Sequence, residues 1–486
     1  MTVKMAAQTV KGIICKLHYK KIRTPTNFSA LNEIFARLES ASILGANKAS
    51  ADAAKFSYWA GLPKDVFEFR TGQQNPFEKL QQALNKYRLG KNRQSYLPEG
   101  IFCGGWIGYF SYELGRYIEP LPQRTLDDLG MLLIRLRFYD RLICYDHTAG
   151  YFWLIALQLP NEIERPEDKL AGLEQLLAKS REISVTLPAQ ADFDGIDLSQ
   201  IRCNMDKDYY LRTVEKIRSY IYDGLVYQVN FSQRFECDYN IQPIELFNWQ
   251  NHHNPSGYAA YIDDGDLHIV SASPEMFITI TDGVISTKPI KGTRPRCGET
   301  NLQAKQINEK NFNELFRSEK EQAELNMIID LERNDLTKIC KYGTIKVVQP
   351  RTIEAYPTVF HAVATVEGHL RRKITFSDVL KSVFPGGSIT GAPKISSMAI
   401  IEKLEPTSRG VYSGSIGFVG IDGNACLNIA IRTIIIKANK AFVQAGGAIV
   451  ADSVAQAEWE ETITKAMALL AGINSVQRKY AIHNAR

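Results

Sequence analysis

Two Asp-Gly dipeptides, Asp282-Gly283 and Asp422-Gly423, each stand between β-rich segments and read as hairpin turns, so antiparallel pairing should dominate. Long strands and helices do not alternate in a β-α-β rhythm, which points to an α+β architecture rather than a doubly wound sheet. No internal repeat is visible. Residues 132 to 157 read as one hairpin, with LLIRLRFYDRLICY and YFWLIALQL as arms and Asp146 to Gly150 as the turn. Ser29 is placed to cap a helix carrying Leu31, Ile34, Phe35 and Leu38 and ending near Ser40. A longer helix, capped at Asp206 or Asp208, sets Tyr210, Val214, Ile217 and Ile221 on one face and stops at Gly224. In YQVNFSQ, the apolar Tyr227, Val229 and Phe231 alternate with Gln228, Asn230 and Ser232, so one face of that strand carries amides and hydroxyls.

A break in composition between Pro160 and Asn204 divides the chain. Residues 1–160 form a β-rich N-terminal part, 161–204 a connector, 205–475 the catalytic part and 476–486 a tail. The net charge of +5 is small for 486 residues and no basic stretch is interleaved with aromatics, which argues against nucleic acid. The eight cysteines lie singly, with no CxxC pair, as expected of a protein in a reduced cytoplasm. No apolar run approaches the roughly 20 residues of a membrane span.

Four groups of residues could carry chemistry. Glu321 and Glu324 are three apart on a helical segment, and Glu458 and Glu461 repeat that spacing, with Lys465 four residues further on. Carboxylate oxygens suit Mg²⁺, although an isolated pair of this kind is more often a solvated helix face. FPGGSITGAPK, 384–394, has the glycine spacing of a phosphate loop but lacks its Lys-Ser/Thr, which leaves either a plain turn or an anion-holding turn around Ser388. Arg432 falls in NIAIRTIII, where strand alternation places it with Ala430 and Ile434. A guanidinium buried there needs an anion, whether a structural carboxylate or that of a substrate. Finally, SPE at 273–275 and KPIKGTRPR at 288–296 put a carboxyl and lysines at strand ends.

Together with AELNMIIDLERNDL, GVYSGSIGF and GGAIVADSVAQAEWEET, these segments resemble the chorismate-utilising family of anthranilate synthase large subunits, aminodeoxychorismate synthases, isochorismate synthases and salicylate synthases. The likeness spans residues 200 to 472. It implies a four-layer α/β/β/α sandwich, two packed antiparallel sheets with helices outside. It also implies that Glu324 and Glu461 ligate Mg²⁺ directly and Glu321 and Glu458 through water. The ring carboxylate of chorismate would be held by the metal with Thr293, Ser388, His361 and Lys465. The enolpyruvyl carboxylate would fall to Tyr412, Arg432 and the backbone of Gly446 and Gly447, and Glu275 would be the general acid for the C4 hydroxyl.

Position 291 separates branches of the family. Anthranilate synthases carry a small residue there. Lys291 is the lysine characteristic of the aminodeoxychorismate branch, in which it attacks C2 before ammonia enters at C4, so its pKa should be depressed. Gln228 stands where members that add water carry a lysine. Ammonia would come from a separate glutamine amidotransferase subunit, since the chain shows no glutaminase-like Cys-His-Glu arrangement. Two departures stand out: Ala448 replaces the last glycine of a GGG loop, and alanine follows His361. The N-terminal segment 104–119 resembles the family's aromatic strand, and Leu38-Glu39-Ser40 its tryptophan-holding element, which implies a tryptophan pocket between Ser40 and that strand. The alternatives are anthranilate synthase and a non-catalytic chorismate-binding subunit.

Overall fold

The computed structural model describes residues 12–25, 27–47, 55–90, 97–188, 201–298, 301–356 and 359–484. Among them are two antiparallel-dominated sheets, of thirteen and ten strands. The larger sheet runs from Gln228–Asp238 through Lys440–Ile449, Thr433–Lys437, Leu267–Ser273 and Tyr258–Asp263 into N-terminal strands that include Ser42–Leu44, Phe56–Ala60, Arg141–Asp146 and Tyr151–Gln158. The smaller runs from Ile290–Pro295 through Val359–His369, Val284–Lys288, Met276–Thr281, Ala425–Asn428 and Ser415–Gly420 into Gly105–Phe110, Ile134–Tyr139 and Asp65–Phe69. Each sheet is therefore continuous across the N-terminal and catalytic parts.

Strand alternation sorts the side chains into two cores. Ile434 and Ile436, Phe152 and Leu154, and Ala259 and Tyr261 face one core, which also takes Leu31, Leu173, Phe247 and Leu469 from four helices. Their neighbours Ile435, Ile155 and Ala260 face the other, which also receives residues of the smaller sheet such as Ile107 and Phe418. Tyr58 of the larger sheet and Phe418 of the smaller meet edge to face, with ring centroids 5.5 Å apart. On the smaller sheet, helices Leu302–Arg317 and Glu319–Thr337 pack against Ile290–Pro295 and Val359–His369. These are the four layers expected, and both Asp-Gly turns close hairpins, Asp282 and Gly283 with φ of 48° and 81°.

Local readings shift in three places. The N-terminal helix is Phe28–Phe35 and its cap is Asn27, whose Oδ1 accepts from the Ala30 N–H at 3.0 Å, so Ser29 lies inside the helix. The apolar run 132–146 is two strands in different sheets: Ile134–Tyr139 pairs with Gly105–Phe110, and Arg141–Asp146 with Tyr151–Gln158. The chain crosses between layers at Asp140, whose fully buried carboxylate meets the buried Lys169 ammonium at 2.6 Å. That ammonium also reaches the Leu157 carbonyl at 2.8 Å and Glu162 at 2.6 Å, so both charges are compensated in the interior. The last helix runs Ala455–Asn484, through the segment expected as a tail, and Val476 is fully buried. The helix after the connector is as expected, Lys207–Tyr222 capped by Asp206, with Tyr210, Val214 and Ile217 buried.

Candidate active site

Lys291 lies on the strand Ile290–Pro295, which pairs with Val359–His369 through a register shift between Ile290 and Thr293. A bulge of this kind re-aims side chains, and Gly292 at its centre has φ +90°. Gly292 is required for a second reason: a Cβ there would stand 2.2 Å from Glu321 Oε2. The bulge thus brings the helix Glu319–Thr337 close to the strand. Burial lowers the pKa of Lys291, Glu324, Glu275 and Glu461 act against that, and Lys465 reinforces it. Electrostatic coupling to these four groups, drawn from three separate elements, places the amine among the predicted site residues.

Glu275 immediately precedes the strand Met276–Thr281 and is 4% exposed. Burial pushes its pKa up to about 6, while the Ser388 hydroxyl, the charge of Lys291 and the Ile290 N–H all favour its ionised form. Ser388 itself is buried in the short turn Gly387–Ile389. Thr293 and His361 face each other across the strand pair, with Oγ1 and Nδ1 2.8 Å apart. Burial, with Arg432 nearby, pulls His361 down to about 3, so its ring is neutral and serves as a hydrogen-bonding group.

Arg432 is not in a strand. It sits between Ala425–Asn428 and Thr433–Lys437 in the left-handed region, with φ +49°, which overturns the strand alternation read from NIAIRTIII. The residue is accessible to solvent, although the surrounding protein lowers its pKa by desolvation. Among the described residues its guanidinium has no hydrogen bond and no ion pair. No structural carboxylate has claimed it. Tyr412 is 5% exposed, and its N–H donates to the Arg409 carbonyl at 3.2 Å.

The two glutamate pairs come from two helices. Glu321 takes the Arg294 guanidinium on Oε1 at 2.7 Å, while its buried Oε2 has no partner. Glu458 accepts from Ser453 Oγ at 2.7 Å, and burial raises its pKa. Glu461 pairs with Lys465 at 2.6 Å; although burial opposes ionisation, Lys465, Lys291 and Lys320 hold its pKa down. Lys465 also donates to the Gly446 carbonyl at 2.9 Å. Gly446 and Gly447 stand in the strand Lys440–Ile449, opposite Ser232 and Phe231, and not in a loop. A Cβ at Gly447 would lie 3.0 Å from Glu458, so glycine there lets that carboxylate approach the strand. Among the described residues no three acidic, histidine or cysteine side chains already converge on one point as a metal cage. The all-oxygen donors and the orphaned Glu321 oxygen nevertheless suit Mg²⁺, which takes few carboxylates and fills its shell with water and substrate.

Two residues escaped the sequence reading. Glu332 accepts from Thr287 Oγ1 at 3.1 Å, and burial, followed by the charge of Glu275, pushes its pKa far up. It lies eleven residues, about three helical turns, beyond Glu321, a spacing that could have shown it on the same face. Arg409 lies four residues after Glu405 and forms a fully buried pair with it. Ser40 takes a hydrogen bond from Tyr139 Oη on its carbonyl. A nearby cavity of about 1040 Å³ is lined by Gly45, Lys55, Tyr58, Tyr258, Glu354 and Phe418 among others, but not by Ser40 or by the strand Gly105–Phe110.

The family model for chorismate binding enzymes matches residues 46–471. The chain belongs to the chorismate-binding enzyme family. This chorismate-utilising enzyme is 38% identical over 418 residues to anthranilate synthase component 1 of Acetivibrio thermocellus, covering 84% of this chain and 83% of that one. It is 39% identical over 368 residues to aminodeoxychorismate synthase component 1 of Bacillus subtilis (strain 168), covering 76% of each. The crystal structure of anthranilate synthase component I from Streptococcus pneumoniae TIGR4 superposes with a TM-score of 0.73 at 31% identity, covering 86% of this chain and 92% of that one. These relatives thus divide between anthranilate synthase and aminodeoxychorismate synthase. Among the described residues no helix is long and apolar enough to cross a membrane, and the eight cysteines are unpaired.

Proposed function

We propose that this enzyme is the large subunit of an aminodeoxychorismate synthase, which replaces the C4 hydroxyl of chorismate with an amino group. The observation that carries the reading is Lys291: a primary amine whose pKa is lowered by burial, coupled at once to the acid Glu275 and to the carboxylates of Glu324 and Glu461. An ordinary lysine is almost wholly protonated at neutral pH and cannot attack carbon; a desolvated one is a nucleophile for part of the time.

Chorismate is a dianion, and Arg432, which has no hydrogen bond or ion pair among the described residues, offers one carboxylate a counter-charge, with Tyr412 as a second contact. Thr293, His361 and Ser388 take the other. Glu324 and Glu461 would hold Mg²⁺ directly, with Glu321 and Glu458 through water, and the metal when bound supplies a positive charge that anchors the ring carboxylate and offsets charge on the reacting diene. Lys291 Nζ forms a bond to C2, the ring double bonds shift, and the C4–O bond breaks as Glu275 gives its proton to the departing oxygen, so that water leaves. Ammonia then bonds to C4, the electrons shift back, the C2–N bond to Lys291 breaks, and the proton lost by the new amine returns to Glu275. Gln228 is fully buried and neither atom of its side-chain amide has a protein partner. It offers ammonia a donor and an acceptor and is too weak a base to activate water. A separate glutamine amidotransferase subunit would supply the ammonia.

Incubation of the purified chain with chorismate, Mg²⁺ and an ammonium salt at pH 8 is expected to yield 4-amino-4-deoxychorismate with no pyruvate. Anthranilate plus an equivalent of pyruvate would assign the enzyme to the other branch. Tryptophan, expected between Ser40 and the strand Gly105–Phe110, would instead have to use the cavity lined by Tyr58, Tyr258, Lys55 and Glu354, which neither Ser40 nor that strand lines. Calorimetry should show one molecule bound per chain, with Phe418→Ala weakening it about tenfold, since loss of a buried aromatic contact costs on the order of 1.4 kcal/mol or more. No heat with the wild type, and no tryptophan released on denaturing it, would remove tryptophan as a ligand.

A further inference from the structure

Glu113 lies in the short helix Tyr112–Tyr117 of the N-terminal part, is 6% exposed, and plays no role in the chemistry above. Its carboxylate accepts from the backbone N–H groups of Arg409 at 2.7 Å and Gly410 at 3.1 Å, nearly three hundred residues away in the chain. The Arg409 side chain is 1% exposed, and all five of its N–H donors are used. Nε and Nη2 grip Glu405 at 2.8 and 2.6 Å; Nη2 also meets the Asn230 carbonyl at 2.7 Å. Nη1 meets the Ile389 carbonyl at 3.0 Å and Ser413 Oγ at 3.1 Å. The ring of Tyr112, next to Glu113, lies 4.7 Å from the guanidinium carbon.

These contacts end on the substrate site from two sides. Ile389 adjoins Ser388, whose hydroxyl acts on Glu275. The Arg409 carbonyl holds the Tyr412 N–H, and the Ser413 N–H donates to the Ala430 carbonyl at 2.8 Å, two residues before Arg432. We propose that Glu113 and Arg409 are positioning residues that together form a clamp, through which the N-terminal part sets Ser388 and Tyr412 for chorismate. This rests on the reading of Ser388 and Tyr412 as chorismate contacts given above.

The electrostatics separate such a clamp from plain structural support. Burial pushes Glu113 up to about 7, with Glu402 adding to the rise, while Arg116 and the Arg409 N–H oppose it. Arg116 and Glu402 act on Glu113 by charge, and the neighbouring Tyr112 feels Arg409, Glu405, Glu402 and Glu113 itself. A folded-state value above the unfolded one means that the stability Glu113 contributes is fully present below the carboxylate's ordinary range and is lost as pH rises through about 7. Above that pH the ionised form, the stronger acceptor for two N–H groups, predominates. The clamp therefore tightens over the same pH interval in which Glu113 makes the fold less stable.

The test is the chorismate dissociation constant of the full chain at saturating Mg²⁺, without ammonia, from pH 6 to 8. The ratio of the Glu113→Gln dissociation constant to the wild type's should rise about tenfold over that interval, as expected when one group must ionise to make the site competent, while the ionisation of Glu275, common to both, cancels. Glu113→Gln should show only the change in affinity that the ionisation of Glu275 brings from pH 6 to 8, with a melting temperature at pH 8 equal to or above the wild type's. Arg409→Lys, which keeps the charge but not the five-donor fork, should bind about tenfold more weakly at every pH. The clamp is overturned if Glu113→Gln keeps the wild-type pH dependence, or loses affinity only together with its melting temperature. Unchanged chorismate affinity in both Ser388→Ala and Tyr412→Phe would instead sink the contacts on which the clamp acts. Formation of anthranilate by the wild type would sink the proposed reaction and leave the clamp standing.

Discussion

Lys291→Ala is expected to slow C4 amination by at least about 10³-fold, roughly 4 kcal/mol of transition-state stabilisation, while the chorismate dissociation constant stays within about threefold of the wild type's. The asymmetry follows from the geometry. On the proposed mechanism, removing the amine deletes the atom that forms the C2–N bond but leaves Arg432, the Thr293–His361 pair and Tyr412 in place. Deleting Lys291 also removes a positive charge that favours the ionised forms of Glu275 and Glu461. Some rise in the pKa of both should therefore accompany the loss, and Mg²⁺ affinity should change modestly. Stopped-flow rates and direct chorismate titration separate the two quantities. Intact-protein mass spectrometry of the wild type, quenched in turnover without ammonia, should show an adduct of one chorismate less one water, absent from the variant. A variant with unchanged rate and product would end the covalent mechanism, whatever the position of the side chain.

Glu275→Gln should reduce the rate by about 10² to 10⁴-fold, the range for loss of a positioned general acid, with chorismate binding kept or slightly improved. Binding should not suffer because an amide of the same shape removes a negative charge that repels a dianion. The pH dependence gives a second reading. With its pKa at about 6 in the protein, Glu275 is protonated below that value and ionised above it. Proton donation to the C4 oxygen therefore weakens as pH rises, so kcat/KM should fall on the alkaline side, and Glu275→Gln should lose that limb. Since the charges of Glu275 and Lys291 act on each other, the observed limb belongs to the pair and need not fall at the value of either alone. An unaltered alkaline limb in Glu275→Gln would show that another group supplies the proton, Glu332 being a candidate because its charge and that of Glu275 act on each other.

The parts of the fold legible in the sequence are those fixed by local rules. The two Asp-Gly hairpins follow from backbone conformations that glycine and aspartate tolerate. The helix Lys207–Tyr222 follows from its cap and its apolar spacing. The run 132–146 was misleading because apolar strands of the two layers look alike, and only the capture of Asp140 by Lys169, contributed from the connector, marks where the chain changes sheets. Ser29 and Asn27 are both capping residues two positions apart, and propensity alone could not choose between them.

The sequence by itself determined which candidates the proposed site could draw on, the two glutamate pairs, Glu275, Lys291 and Arg432, because residue types and spacings are properties of the chain. Tertiary structure alone decided their state. Whether Lys291 is a nucleophile, Arg432 a vacant counter-charge and His361 a neutral ring depends on desolvation and on charges brought from distant segments. Those are set by a bulge at Gly292, a left-handed turn at Arg432 and the packing of two helices, none of which is encoded in any short stretch of residues.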